Sequence, residues 1–215
     1  MTTETKILGV ILILTVVLLG GGVFFLSKGL SNVKSTEEAS VAQIDYSRGE
    51  KIGSDSAKVK VVEFSDLQCP ACLAAEPIVK KLRADYPDQV QLIYRHFPLP
   101  QHTHGREAAI LAEAAGQQGK FWEIHDKLFE TQAEWSGLTD VNNFFMDLSK
   151  QVGLDENKLK QDMAGNPVKS KIDSDVADGQ SLGVNSTPTF YVNGHKVVLQ
   201  SFDDLNTAVA QELKK

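Results

Sequence analysis

The chain has 215 residues, of which 42% are hydrophobic and 23% are charged, a composition typical of a globular protein and not of a disordered or fibrous one. Its 22 basic and 28 acidic side chains give a formal net charge of -6, which leaves no basic surplus for phosphates and excludes a non-specific nucleic-acid-binding protein. Two cysteines are too few for the disulfide framework of a small secreted domain.

An uncharged apolar run, residues 7–26, lies near the start of the sequence. As a helix rising about 1.5 Å per residue, it would span about 30 Å, the thickness of a bilayer's hydrocarbon core. We therefore predict an N-terminal transmembrane anchor over residues 1–28. A buried core helix and a cleaved signal peptide are the alternatives, because a signal peptide has an apolar region of about 7–15 residues that ends at small residues.

Residues 29–43 are mostly polar and include no aromatic residue, so we predict a spacer that leads to a folded domain at 44–215. We expect the anchor to cross a bacterial cytoplasmic membrane once, with the domain on the extracytoplasmic side. This orientation depends on the short N-terminal tail and on the redox chemistry inferred below.

The domain begins with a predicted strand, Lys58–Phe64, and the sequence Cys-Pro-Ala-Cys follows closely. Helical spacing then runs over 73–86, and Pro70 suits the first turn, where its missing N–H would be unpaired in any case. Cys69 is thus predicted to lie at a helix N-terminus, where free N–H groups and the helix dipole favour thiolate over thiol. Cys72, one turn later and more buried, is the predicted resolving thiol.

Two other roles are open to this cysteine pair. A structural zinc site uses the same spacing but needs about four ligands, and the sequence has no second C-x-x-C. His102 and His104 could add ligands from one strand-like segment, which makes a poor partner, so we predict neither a metal nor a cofactor. A pair of inert core cysteines is the other alternative.

Glu63 stands six positions before Cys69 in an otherwise apolar strand. If that strand is buried on both faces, as in a parallel sheet, the carboxyl group is desolvated and its pKa rises. Such a group could relay a proton to or from Cys72. An exposed strand position is the alternative. Asp66, nearer to the cysteines, is expected to cap or turn the loop.

The segment after Pro100 has a helical pattern, and we predict an all-helical insertion at about 101–181. Four aromatic residues of this segment are expected to form its core and not a peptide groove: Phe121, Trp122, Phe144 and Phe145. The predicted helices are 106–117, 121–131, 141–152, 156–163 and 168–182.

Two further elements are predicted after the helical segment. Thr189–Leu199 is a β-hairpin with an Asn-Gly turn, which is the strongest short hairpin signal. Residues 202–213 form a final helix with a capping pattern at Ser201 and Asp204.

Four blocks of the sequence resemble the DsbA-like branch of the thioredoxin superfamily: Val61–Cys72, Leu92–Pro100, Gly119–Phe129 and Gly183–Gly194. They occur in the family's order and extend from about Gly53 to the C-terminus. The resemblance implies an α/β thioredoxin fold with the inserted helical domain, preceded here by the N-terminal transmembrane helix.

The resemblance also implies site residues. Pro188 would be a cis proline that faces the cysteine pair, and Thr187 before it would hold a substrate chain with its backbone. A proline at an ordinary strand start is the alternative. The family has an acidic residue at the position of Glu63. The motif dipeptide is Pro70–Ala71, where Ala71 replaces a histidine that the best-known members carry.

The implied function is extracytoplasmic thiol–disulfide exchange that forms disulfides in unfolded exported proteins through a Cys69–Cys72 pair. A membrane redox partner of the DsbB or VKOR type would reoxidise the pair. Because Ala71 removes one thiolate-stabilising donor, a membrane-tethered reductase or isomerase stays open. A non-catalytic peptide-binding module, or holdase, is the alternative from another class.

Overall fold

The computed structural model describes residues 41–215. The predicted transmembrane anchor and nearly all of the predicted spacer lie outside these residues. Within 41–215, no helix combines the length and the apolar character needed to cross a membrane.

A five-stranded sheet lies at the centre of the described residues, in the order β1-β3-β2-β4-β5. Strands β2 and β3 are parallel, and the other three pairs are antiparallel. Nearly every residue of β2 and all of β3 are buried, as expected for central strands covered on both faces. The strands are β1 Glu50–Ile52, β2 Val59–Ser65, β3 Val90–His96, β4 Thr189–Val192 and β5 His195–Lys196.

The predicted hairpin is confirmed, with a shorter second strand. Asn193 and Gly194 both have positive φ, 47° and 84°, which is what a type I′ turn requires of its two central residues. The Asn193 side chain also accepts a hydrogen bond from the backbone N–H of Lys60, 2.8 Å away, and so ties the turn to β2. Strand β5 ends at Lys196 and not at Leu199.

The helices cover the sheet and form the insertion. Helices α1 and α8 pack against one face of the sheet through Val79 and Val209, both buried. The six helices between β3 and β4 share a second apolar core. Their bounds are α1 Pro70–Asp85, α2 Gly105–Gly116, α3 Phe121–Glu130, α4 Gln132–Trp135, α5 Asn142–Val152, α6 Glu156–Ala164, α7 Asn166–Ser181 and α8 Asp203–Lys214.

The aromatic residues of the insertion lie in its core, as predicted. Phe121 and Phe145 are buried, and Trp122 and Phe144 are partly buried against the same cluster. Trp135 is fully buried, packs edge-on against Phe145 and donates its indole N–H to a backbone carbonyl of α3. These side chains therefore stabilise the insertion, although Phe145 also lines a surface cavity of about 430 Å³ together with Ile110 and Met163.

A buried ion pair joins the sheet to helix α7. Arg95 of β3 and Asp175 of α7 are each 1% exposed, and the Arg95 Nε donates to Asp175 Oδ1 at 2.5 Å. The other carboxylate oxygen of Asp175 accepts the backbone N–H of His96 at 3.1 Å. Arg95 also pairs with the half-buried Asp178, which pairs with Arg48 at 2.6 Å.

Candidate functional site

Cys69 ends the connection from β2 to α1, at the carboxyl edge of the parallel strands, and Cys72 lies in the first turn of α1. Cys69 is the N-cap residue of α1, with extended backbone angles of -76° and 121°, and Pro70 is in the first turn as predicted. Cys69 is 6% exposed and Cys72 is 0% exposed, and both are free thiols. A thiolate arriving from solvent would therefore meet Cys69 first.

The surroundings of the two cysteines drive their pKa values apart. The largest effect on the pKa of Cys69 is the hydrogen bond from the Cys72 thiol, which lowers it. Burial opposes this effect, while Thr187 and backbone N–H groups add to it. Together they lower the pKa of Cys69 from 9.0 to about 5. Desolvation, followed by donation to Cys69 and by the charge of Glu63, raises the pKa of Cys72 far above its usual range. At neutral pH the reduced pair therefore holds one thiolate and one thiol.

The low pKa gives a direct prediction for the reduced protein. Because the thiolate is the nucleophile, we expect the rate at which iodoacetamide alkylates Cys69 to fall to half its maximum near pH 5. Replacing Cys72 by alanine removes the largest stabilising hydrogen bond and should move this midpoint toward 9. Mass spectrometry of quenched samples measures the rate. A wild-type midpoint near 9 would show that the thiolate is not stabilised.

The same shift has a consequence for stability. The pKa of Cys69 is lower in the folded protein than in the unfolded chain, so its thiolate stabilises the folded, reduced form. This contribution is fully present above about pH 9 and is lost as the pH falls through about 5. The oxidised form has no such thiolate and serves as the reference.

The loop before β4 lies against Cys69. The Thr187–Pro188 peptide bond is cis, and the Thr187 carbonyl oxygen lies 3.4 Å from the Cys69 sulfur, within reach of its thiol proton. The Thr187 hydroxyl is buried and has no hydrogen-bond partner in the described part of the chain, which leaves it free to donate to a thiolate. The structure thus brings Thr187 and Pro188 to the cysteine pair, where the sequence predicted them.

Glu63 is 1% exposed in the middle of β2, between Tyr94 of β3 and Phe190 of β4, so it is not an exposed strand residue. Desolvation and then the charge of Glu76 raise its pKa to about 8. The charge of Glu63 in turn raises the pKa of Cys72. Glu63 is therefore a buried acid whose charge acts on the Cys72 thiol, as expected of a group that exchanges a proton with it.

Asp66 holds the loop between β2 and α1, as expected of a turn residue. Its buried carboxylate accepts the backbone N–H groups of Gln68 and Leu99 at 2.8 and 2.7 Å. His102 Nδ1 lies 2.7 Å from the same carboxylate, while His104 contacts Glu107. Neither histidine is therefore directed to a metal shared with the cysteines.

Sequence reasoning missed three polar residues around the pair. Gln132 donates to the backbone oxygens of Leu67 and Cys69, at 2.8 and 3.1 Å, and so fixes the active loop from α4. Glu76 is buried on α1 itself, and His125 is buried on α3. Glu76 could have been found, because it follows Cys72 by four residues and shares its helix face.

One group of side chains has metal-ligand character. Ligand atoms of Glu76, His125 and Asp126 all lie within 4.8 Å of one another. The Lys80 ammonium already lies 3.8 Å from Glu76 and 3.4 Å from Asp126, so the cluster contains its own cation. These side chains therefore form an ion-pair cluster.

Comparison with known sequences gives a consistent family. A family model described as thioredoxin matches residues 47–211. A probable disulfide bond formation protein D from Bacillus anthracis is 32% identical over 181 residues, which cover 79% of this chain and 81% of that protein. A Na(+)/H(+) antiporter, NhaA 3 of Salinispora tropica, is 36% identical over 154 residues, or 71% of this chain and 23% of the antiporter. The chain thus spans about a quarter of the length of such antiporter relatives.

Solved structures agree on the fold. The oxidised crystal structure of BdbD from Bacillus subtilis superposes with a TM-score of 0.72 and 27% identity, over 82% of this chain and 99% of that one. A thioredoxin-like oxidoreductase from Silicibacter pomeroyi gives a TM-score of 0.65 and 32% identity, over 77% of this chain and 92% of that one.

Proposed function

The chain belongs to the DsbA-like branch of the thioredoxin superfamily, and from that premise we propose that it is a thiol–disulfide oxidoreductase acting through Cys69 and Cys72. More narrowly, we propose that it is a disulfide-forming oxidase. The name of the Bacillus anthracis relative, a probable disulfide bond formation protein, and the geometry of the cysteine pair support this proposal.

The main observation in favour of an oxidase is that the pKa of Cys69 is lowered while that of Cys72 is raised. Cys69 lies at a helix N-terminus with several donors around its sulfur, and its pKa is lowered to about 5. A stabilised thiolate stabilises the reduced form of the pair. A pair whose reduced form is stabilised gives up its disulfide readily and is therefore a strong oxidant.

The exchange proceeds in two displacements. A client thiolate attacks the Cys69 sulfur, the Cys69–Cys72 bond breaks, and Cys72 leaves with the electron pair and takes up a proton. A second client thiolate then attacks the client sulfur of the mixed disulfide, and Cys69 leaves as a stable thiolate. The client loses two electrons and the cysteine pair gains them.

We propose that Thr187 and Pro188 position the client during these steps. The Thr187 carbonyl lies beside the reacting sulfur, and it can accept a client backbone N–H because Cys69 has no thiol proton as a thiolate or in a disulfide. Glu63 would supply the proton that Cys72 takes up, since its pKa of about 8 lets it exchange protons near neutrality.

The cellular setting is also part of the proposal. The predicted anchor would hold the domain at the extracytoplasmic face of a bacterial membrane, where disulfides form and persist. Unfolded exported proteins would be the clients. The reduced pair would need a membrane redox partner of the DsbB or VKOR type as its electron acceptor.

A specific feature supports a second candidate, a reductase or isomerase. Ala71 supplies only its backbone N–H to Cys69, with no side-chain donor between the two cysteines. A weaker stabilisation of the thiolate would make the pair less oxidising.

The reduction potential of the Cys69–Cys72 pair separates these candidates. We expect glutathione-buffer titration to give a value well above about -180 mV, and a reduced, unfolded client such as ribonuclease A to regain its disulfides in the protein's presence. A value near about -270 mV would instead support a reductase. A pair that does not titrate would overturn the enzymatic proposal altogether.

A further inference from the structure

A line of buried acid–base groups runs from Cys72 toward the surface. Glu63 of β2 and Glu76 of α1 are 1% and 5% exposed, and His125 of α3 is 2% exposed. Unpartnered polar atoms remain on each of them in the described residues: both carboxylate oxygens of Glu63, one of Glu76, and His125 Nε2. Buried polar groups normally have partners, so a row of unpartnered ones requires an explanation.

The three innermost groups, Cys72, Glu63 and Glu76, are linked through their charges. The charge of Glu63 acts on Cys72, and the charge of Glu76 acts on Glu63. Glu76 lies one turn after Cys72 on the same face of α1. Tyr94 of β3 faces the same interior, and burial raises its pKa well above the usual value, so it stays neutral there.

The outer half is linked by geometry. His125 Nε2 lies 3.8 Å from Glu76 Oε1, and His125 Nδ1 lies 3.0 Å from Asp126 Oδ1. Three aromatic rings pack edge-on against the imidazole, at centroid distances of 4.9 Å for Tyr94, 5.0 Å for Phe129 and 5.1 Å for Trp122. The two ring nitrogens of His125 therefore face an interior carboxyl group on one side and an outer one on the other.

The line ends at open solvent. The Asp126 side chain is 39% exposed and lines a surface cleft of about 470 Å³ together with Lys80 and Arg83. Lys80 approaches both Glu76 and Asp126, and Arg83 stacks over the neighbouring Trp122 ring. The two cationic side chains, Lys80 and Arg83, thus lie where the row of acid–base groups reaches the cleft. The buried members of the row, Glu63, Glu76 and His125, include no lysine or arginine.

We propose that Glu76 and His125 conduct protons between Glu63 and this cleft, and so connect the buried Cys72 thiol to solvent. The proposal rests on the proposed function, since it assigns positioning residues to the same reaction. It explains how a fully buried thiol can gain and lose a proton in every cycle, and why individual polar atoms of these groups have no hydrogen-bond partner in the described residues.

During reoxidation of the cysteine pair, the proton would move from Cys72 outward to solvent. When Cys69 is joined to an acceptor thiol, the Cys72 thiol must lose its proton and attack the Cys69 sulfur, which expels the acceptor as a thiolate. The proton passes to Glu63, from there to Glu76 and His125, and leaves through the cleft. When a client is oxidised the proton moves inward along the same groups to the departing Cys72.

Single-turnover reaction of the reduced protein with Ellman's reagent isolates this step. Cys69 releases the first thionitrobenzoate, and Cys72 releases the second by attacking the mixed disulfide. We expect Glu76→Gln and His125→Ala to leave the first release unchanged and to slow the second about tenfold or more at pH 7, because a positioned proton-transfer group contributes about 10²–10⁴-fold. Added imidazole should restore the second rate in His125→Ala, since His125 lies beside Asp126, which lines the cleft.

His96→Ala is the matched control, because His96 is also a buried histidine with a carboxylate partner, Glu113, at 3.2 Å. It should slow neither release, and thermal unfolding shows whether each variant is folded. Second releases equal to wild type in both test variants, equal slowing of both releases, or no recovery with imidazole would each overturn the conduction path. If the wild-type protein gives no second release, the proposed function fails and the inference fails with it.

Discussion

Replacing Cys69 by serine is expected to abolish thiol–disulfide exchange while leaving the fold intact. The reason is that the cycle needs a sulfur that can attack, form a mixed disulfide and leave as a thiolate, and a serine hydroxyl does none of these near neutral pH. Reoxidation of reduced ribonuclease A measures the activity, and thermal unfolding checks the fold. Residual exchange at more than trace level would show that another group is the nucleophile.

Replacing Cys72 by serine is the matched control, and its expected result is different in kind. Cys69 keeps its exposure, so it still attacks a client disulfide, but the mixed disulfide can no longer be resolved from within the protein. We expect a covalent complex that persists on a non-reducing gel and disappears with reductant. Equal loss of all reactivity in both variants would contradict the assignment of separate roles.

The largest expected effect on stability is at the buried pair of Arg95 and Asp175. Replacing Arg95 by methionine keeps the side-chain volume but leaves a buried carboxylate without its cation. Breaking a buried pair in this way costs about 3–5 kcal/mol, a large part of the about 5–15 kcal/mol that stabilises a typical domain. Urea unfolding should therefore show a much lower free energy of unfolding for Arg95→Met.

A double replacement tests the cause. If the loss comes from the unpaired charge, then Arg95→Met combined with Asp175→Leu should be less destabilised than Arg95→Met alone, because no isolated charge remains. Asp178 keeps Arg48 as its partner in both variants. Purely additive losses would show that the two side chains act through packing and not as a pair.

Local patterns predicted the parts of the site that depend on neighbouring residues. The helix N-terminus at Cys69 follows from a strand, a proline and helical spacing, and the Asn193–Gly194 turn follows from its residue types. Family resemblance, and not periodicity, brought Thr187 and Pro188 to the cysteine pair. The burial of Glu63 depended on β2 being central in the sheet, which the strand pattern allowed but did not require.

The parts that were not predicted depend on distant segments. Strand β3 is buried along its whole length although it contains Gln91, Arg95 and His96, so its sequence does not have the pattern of an apolar strand. The burial of Arg95 depends on Asp175, which α7 supplies as its partner. The meeting of Glu76 with His125 likewise depends on how α3 packs on α1. No spacing along the sequence carries that information.

The reactive centre is assembled from pieces at opposite ends of the domain, since Cys69 and Thr187 are 118 residues apart. The contact between them closes only when β4 has paired with β2, after every helix of the insertion has been made. Contacts of such long range form late and slow the folding of a chain. A chain still emerging from the ribosome would therefore lack the contribution of Thr187 to the low pKa of Cys69, while the larger contribution of Cys72 comes from three residues away. The full reactivity of Cys69 is therefore reached only in the completed fold, where Thr187 lies against its sulfur.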